Sequence, residues 1–183
     1  MDNKKLPFWQ DIHTIVFDFD GIFTNNKVIV DQEGNESVIC DRGDGLAFDI
    51  LRRFIVKNNW DLEYFILSKE ENNVVSKRAG KLKIKCYHNI NDKYEFLIDK
   101  LSDRFNSESQ IMEGLIYLGN DLNDLKSMLL AEFSVSPADA HPIICKIADV
   151  VFKERGGNGF VRAFIENLLQ LDKLDMNELM ELA

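Results

Sequence analysis

Apolar residues recur along the chain in short, nearly continuous runs of strand length. They are T-I-V-F (14–17), E-Y-F-I-L (63–67), L-K-I-K-C (82–86), L-I-Y-L (115–118) and F-S-V-S (133–136), with D-V-V-F (149–152) as a weaker sixth. Helical periodicity occupies the intervals near 44–57, 71–80, 92–104, 121–131 and 158–172. Runs that are apolar on both faces suit a parallel sheet covered on both sides. Their alternation with helices predicts an α/β fold with right-handed crossovers.

Two segments break the pattern. Residues 27–40 form two β-rich tetrads around D-Q-E-G-N-E, a β-hairpin inserted between the first strand and the first helix. Both arms are apolar, and an exposed apolar hairpin invites association unless it is covered. A partner subunit is the preferred cover. The tail, about 173–183, continues a series of Leu168, Leu169, Leu171, Leu174, Met176, Leu179, Met180 and Leu182. Docking on its own core and docking on a neighbour are both compatible with that series.

The candidate chemistry lies where the runs end, because ligands of open parallel sheets bind beyond the carboxyl ends of the strands. The first run ends in D-F-D-G-I-F-T, with Asp18 and Asp20 set to share a face. Neighbouring carboxylates at the end of a buried strand repel unless a divalent cation sits between them or one is protonated. An Asp-Gly turn with an exposed first aspartate would look the same. The second run ends in Ser68, the third leads into N-I-N-D-K with Lys93, and the fourth ends in G-N-D-L-N-D with Asn120, Asp121, Asn123 and Asp124. Ser68 or Asp121 could simply cap a helix. Lys93 is less easily dismissed, since a cation in a first helical turn opposes the dipole unless an anion is nearby.

Composition narrows the class. The 183 residues suffice for one domain with a full core, and 29% charged against 45% apolar residues is a soluble globular profile. No run approaches the ~20 residues of a membrane span, and M-D-N-K-K-L-P lacks a signal-peptide core, so the cytoplasm is the expected location. A net charge of −9 with scattered Lys and Arg argues against nucleic acid. Cys40, Cys86 and Cys145 are far apart, which predicts buried free thiols.

D-F-D-G-I-F-T, Ser68, Lys93 and G-N-D-L-N-D, in this order, resemble the four-motif signature of the haloacid dehalogenase (HAD) superfamily. D-R-G-D-G-L (41–46), I-L-S-K-E-E-N-N-V-V-S-K-R-A-G-K-L (66–82) and E-R-G-G-N-G-F-V-R (154–162) are similar to the 3-deoxy-manno-octulosonate 8-phosphate phosphatases. They are also similar to the related C-terminal domain of some acylneuraminate cytidylyltransferases. The resemblance implies a single Rossmann-like HAD domain over 1–183, with the hairpin as a minimal cap. It implies a magnesium-dependent phosphatase of a 2-keto-3-deoxy sugar acid phosphate, working as a homotetramer in which hairpins pack together and a neighbour's C-terminal segment helps cover the active site.

By the same resemblance Asp18 is the nucleophile and Asp20 the general acid/base, while Ser68 and Lys93 hold the phosphoryl oxygens. Mg2+ falls to Asp18, Asp20, Asn120 and Asp121. Gly21, Thr24, Arg42, Arg78, Asp124, Arg155 and Gly157 fall to the substrate, with surface ion pairs the simpler expectation for Arg42 and Arg78. Asn120 stands where the family usually has an aspartate, so metal affinity should be lower. A non-catalytic oligomerisation module associated with a cytidylyltransferase is the alternative.

Overall fold

The computed structural model describes residues 4–182. Met1 to Asn3, the start of the M-D-N-K-K-L-P stretch, and Ala183, the end of the expected tail, lie outside them.

Six strands form one parallel sheet: β1 (Thr14–Phe17), β4 (Glu63–Leu67), β5 (Lys85–Tyr87), β6 (Leu115–Leu118), β7 (Phe133–Ser136) and β8 (Val150–Val151). Their order is β5-β4-β1-β6-β7-β8. β1 lies at the centre, with Phe17 in register with Ile66 on one side and Leu118 on the other. The strands therefore end level with one another, and the residues that follow meet along one edge.

Burial on both faces explains the continuous runs. Ile15, Phe17, Ile66, Ile116 and Leu118 face one apolar cluster, built with α1 (Gly43–Asn58), α2 (Val74–Leu82) and α7 (Phe160–Leu168). Val16, Phe65, Leu67, Leu115 and Tyr117 face the other, with α3 (Lys93–Ser102), α4 (Glu108–Met112), α5 (Leu125–Leu130) and α6 (Pro142–Ile147). The alternation of neighbouring residues between clusters is the period of two that strands impose.

Several boundaries differ from the sequence pattern. The third strand begins at Lys85, because Leu82 closes α2 and Lys83 ends it in the left-handed conformation (φ 56°). The helix expected at 121–131 opens as a 3₁₀ turn, Leu122–Asp124, before α5. Helices α4 and α6 were not anticipated. The helix expected to reach 172 stops at Leu168, and α8 (Met176–Leu182) follows. Leu182 of α8 is buried in the core cluster and Lys57 of α1 pairs with Glu181 at 2.6 Å, so the tail docks on its own chain.

The hairpin pairs β2 (Ile29–Val30) with β3 (Glu36–Ser37) as a separate antiparallel sheet. Val28, Ile29, Val30 and Ile39 are 53%, 59%, 57% and 59% exposed. Among the described residues of its own chain nothing covers these side chains. The three thiols are free but half-buried rather than buried.

Candidate active site

β1 stops at Phe17, and the chain then turns helically, with Ile22 N and Phe23 N both donating to Phe19 O. A turn, rather than a strand pleat, therefore carries Asp20. Asp18 is still held by the sheet, its N–H donating to Leu118 O at 2.9 Å. It is buried, and Asp20 is half-buried. Asp18, Asp20 and Ser68 line one pocket of about 440 Å³ together with Lys69, Glu70, Glu71 and Asn123.

Lys93 is the first residue of α3, capped by the Asp92 side chain, and its ammonium turns inward. It lies 2.7 Å from Asp18 Oδ1 and 2.7 Å from Asp124 Oδ1. One buried cation thus serves two buried carboxylates. Burial first, then the charge of Asp124, pushes the Asp18 pKa up to about 8 against the pull of Lys93. Burial would lower the Lys93 pKa, but the two carboxylates outweigh it and hold it above its ordinary value. Asp20 is raised by burial and by Glu70, with Thr24 opposing.

Asp124, expected at the substrate, sits behind Lys93 instead. It is fully buried and both oxygens are occupied: Oδ1 by Lys93 and the Tyr117 hydroxyl (2.9 Å), Oδ2 by Asn120 N (3.0 Å) and Asp121 N (3.3 Å). Asp121, expected at the metal, is exposed and caps the 3₁₀ turn, Oδ1 accepting from Leu122 N at 2.7 Å.

Other expected substrate contacts are turned to structural work. Thr24 Oγ1 accepts from Gly21 N and Asn26 N and donates to Asp20. Gly157 N donates to Ile22 O and Gly156 N to Asp139, so the glycine turn offers neither amide to an anion. It needs small residues because a Cβ on Gly156 would stand 1.9 Å from Gly21 O. Arg155 is exposed and paired with Asp139 at 3.2 Å. Arg78 is part-buried, donating to Asp41 O at 2.5 Å with Asp44 at 3.8 Å, rather than forming a surface pair. Arg42 is exposed at the start of α1 and forms no ion pair among the described residues.

Among the described residues no three His, Cys, Asp or Glu side chains converge as a metal cage. The donor set fits a hard cation nevertheless. Asp18 and Asp124 share one ammonium and Asp20 adds a further carboxylate, so a dication offsets a local excess of negative charge. The Asn120 amide packs directly on Gly21, beside Asp20.

A crystal structure from Streptomyces avermitilis MA-4680, assigned to the HAD hydrolase family, superposes with a TM-score of 0.81. Its sequence identity is 37%, and the match covers 94% of each chain. The chain belongs to the haloacid dehalogenase superfamily. KdsC of Escherichia coli K12, a 3-deoxy-D-manno-octulosonate 8-phosphate phosphatase, is 27% identical to this HAD chain over 165 residues, 87% of this chain and 80% of KdsC. A 3-deoxy-D-manno-octulosonate 8-phosphate phosphatase from Moraxella catarrhalis, solved with a magnesium ion, a phosphate ion and KDO, is 26% identical. It has a TM-score of 0.77, with 88% of each chain covered. With these similarities the HAD chain is a phosphatase, a phosphoric monoester hydrolase. No family model matches the sequence.

Sequence reasoning missed Tyr117 and the pocket residues Lys69, Glu70 and Glu71, while Asn123 of the fourth strand end does line the pocket. The S-K-E-E stretch carried a signal, polar residues directly after a strand end. Tyr117 carried none, being one aromatic in an apolar run.

Proposed function

We propose that the protein hydrolyses a 2-keto-3-deoxy sugar acid phosphate, of the 3-deoxy-manno-octulosonate 8-phosphate or acylneuraminate 9-phosphate type, in a magnesium-dependent reaction. The observation that carries this is Lys93 lodged between Asp18 and Asp124 behind a pocket that also holds Asp20 and Ser68. An Asp18 oxygen attacks phosphorus and the bond from phosphorus to the sugar oxygen breaks, leaving an aspartyl-phosphate. Asp20, whose pKa is raised, gives its proton to the departing oxygen. It then takes a proton from the water that attacks phosphorus, which frees Asp18 and inorganic phosphate. Ser68 and Lys93 hold the phosphoryl oxygens in line, and phosphoryl transfer depends mainly on such positioning and charge neutralisation.

Asp18, the Asp20 backbone carbonyl and the Asn120 amide oxygen would hold the magnesium ion. When bound, it neutralises the carboxylates and the phosphoryl group together. A homotetramer in the cytoplasm belongs to the same proposal, supported by the uncovered apolar hairpin. That hairpin and the uncharged Asn120 also favour the second reading, a non-catalytic oligomerisation module.

A panel of sugar acid phosphates, with and without magnesium, tests both. Wild type releases phosphate from one of the two ester types only with magnesium, and Asp18→Asn does not. Equal, slow release by both proteins across the panel overturns the proposal, and a tetramer that binds no magnesium establishes the second reading.

A further inference from the structure

Tyr117 is the one hydroxyl-bearing residue of β6, and its ring is fully buried in the apolar cluster beneath α3 and α5. Ring packing alone would be served by phenylalanine, and burying a hydroxyl is unfavourable unless it is bonded. The hydroxyl donates to Asp124 Oδ1 at 2.9 Å, the oxygen that also receives Lys93. The other oxygen of Asp124 holds the backbone of Asn120 and Asp121. Asp124 therefore ties the phosphate-binding lysine to the loop that carries Asn120. Four donors from β6, the loop and α3 fix its plane. Without the phenol, Oδ1 keeps Lys93 alone, and the ammonium can follow the carboxylate as it rotates.

We propose that Tyr117 is a positioning residue: its hydroxyl orients Asp124, and through Asp124 it sets Lys93 against Asp18. This inference rests on the phosphatase reading and deepens it.

The test compares wild type, Tyr117→Phe, Asp124→Asn and the double variant, with the ester that wild type hydrolyses best and saturating magnesium. Losing one hydrogen bond of about 1 kcal/mol that matters most in the transition state lowers kcat about fivefold. The expected result for Tyr117→Phe is that fall in kcat, with KM within twofold and a thermal midpoint close to wild type. Tyr117→Phe should add no further loss to Asp124→Asn, because neighbours in one network do not act independently. Wild-type kcat in Tyr117→Phe overturns the inference, as does a loss that multiplies with that of Asp124→Asn. A kcat loss matched by a collapse of the thermal midpoint assigns the residue to packing and overturns it too. If Asp124→Asn has no measurable activity, Tyr117→Phe alone decides. A wild type inactive on every ester is a different outcome, since it removes the phosphatase reading and takes this inference with it.

Discussion

The side-chain amide of Asn120 fills the space where a Cβ on Gly21 would begin, its nitrogen 1.9 Å from that position. Gly21 follows Asp20 and adopts φ +76°, a conformation open to glycine without strain. The amide is thereby held against the acidic turn, where it can donate an oxygen to a cation but no charge. Asn120→Asp supplies the charge. Magnesium should bind about tenfold more tightly, since carboxylate ligands raise affinity for hard cations. Isothermal titration of both proteins checks this, and equal affinities would remove Asn120 from the metal site.

Replacing Lys93 by methionine leaves Asp18 and Asp124 buried without their shared cation. Breaking a buried pair by removing one partner costs about 3 kcal/mol or more. Urea unfolding should show a loss of that order, and phosphate release should disappear. Without magnesium the loss should be smaller at pH 6 than at pH 9, because the raised Asp18 pKa lets that group take a proton instead. A variant as stable as wild type at both pH values would show that the ammonium does not neutralise the pair.

The sheet was legible because strands buried on both faces leave uninterrupted apolar runs, and 14–17, 63–67, 115–118 and 133–136 match their strands residue for residue. The third strand slipped because L-K-I-K-C alternates across the end of α2, and only the left-handed turn at Lys83 shows where helix stops. Asp121 and Asp124 are equally acidic in the sequence. Which of them turns inward depends on Lys93 and Tyr117, which reach the loop from α3 and β6. The resemblance puts Gly157 at the substrate, but the need for small residues at 156 and 157 comes from the backbone of residues 21–25 pressing against them. Such contacts are between segments far apart in the chain, and no local pattern records them.

Asp44 is buried near the start of α1, and neither of its oxygens has a hydrogen-bond partner among the described residues. Burial first, then the charge of Asp41, pushes its pKa up to about 7 against the pull of Arg78. The folded protein thus keeps a proton that the unfolded chain releases near pH 3.8. The stability from this group is complete below that value and is lost as pH rises to about 7, by roughly 1.4 kcal/mol per unit at most. Asp44→Asn lacks that decline. Unfolding free energies at pH 5 and pH 7 should show the difference between wild type and variant moving in favour of Asn as pH rises. A pH-independent difference would mean that Asp44 is ionised throughout.

The apolar arms of the hairpin give the last prediction. Val28, Ile29, Val30 and Ile39 stand out from the body of the protein, while Asn72 Nδ2 donates to Glu36 Oε2 at 3.1 Å and ties the hairpin to the loop after Ser68. Covering such a surface between copies would stabilise the assembly by roughly 25 cal/mol per Å² of apolar area removed from water. Charges at Ile29 and Ile39 would instead have to be desolvated in the interface. The double variant Ile29→Lys, Ile39→Glu should keep its fold, since surface substitutions away from caps and cores stay within about 0.5 kcal/mol. Light scattering should then find wild type as a tetramer and the variant as smaller species with an unchanged circular dichroism spectrum. A tetramer in both proteins would place the contact elsewhere, and a monomeric wild type would leave the hairpin without a subunit to cover it.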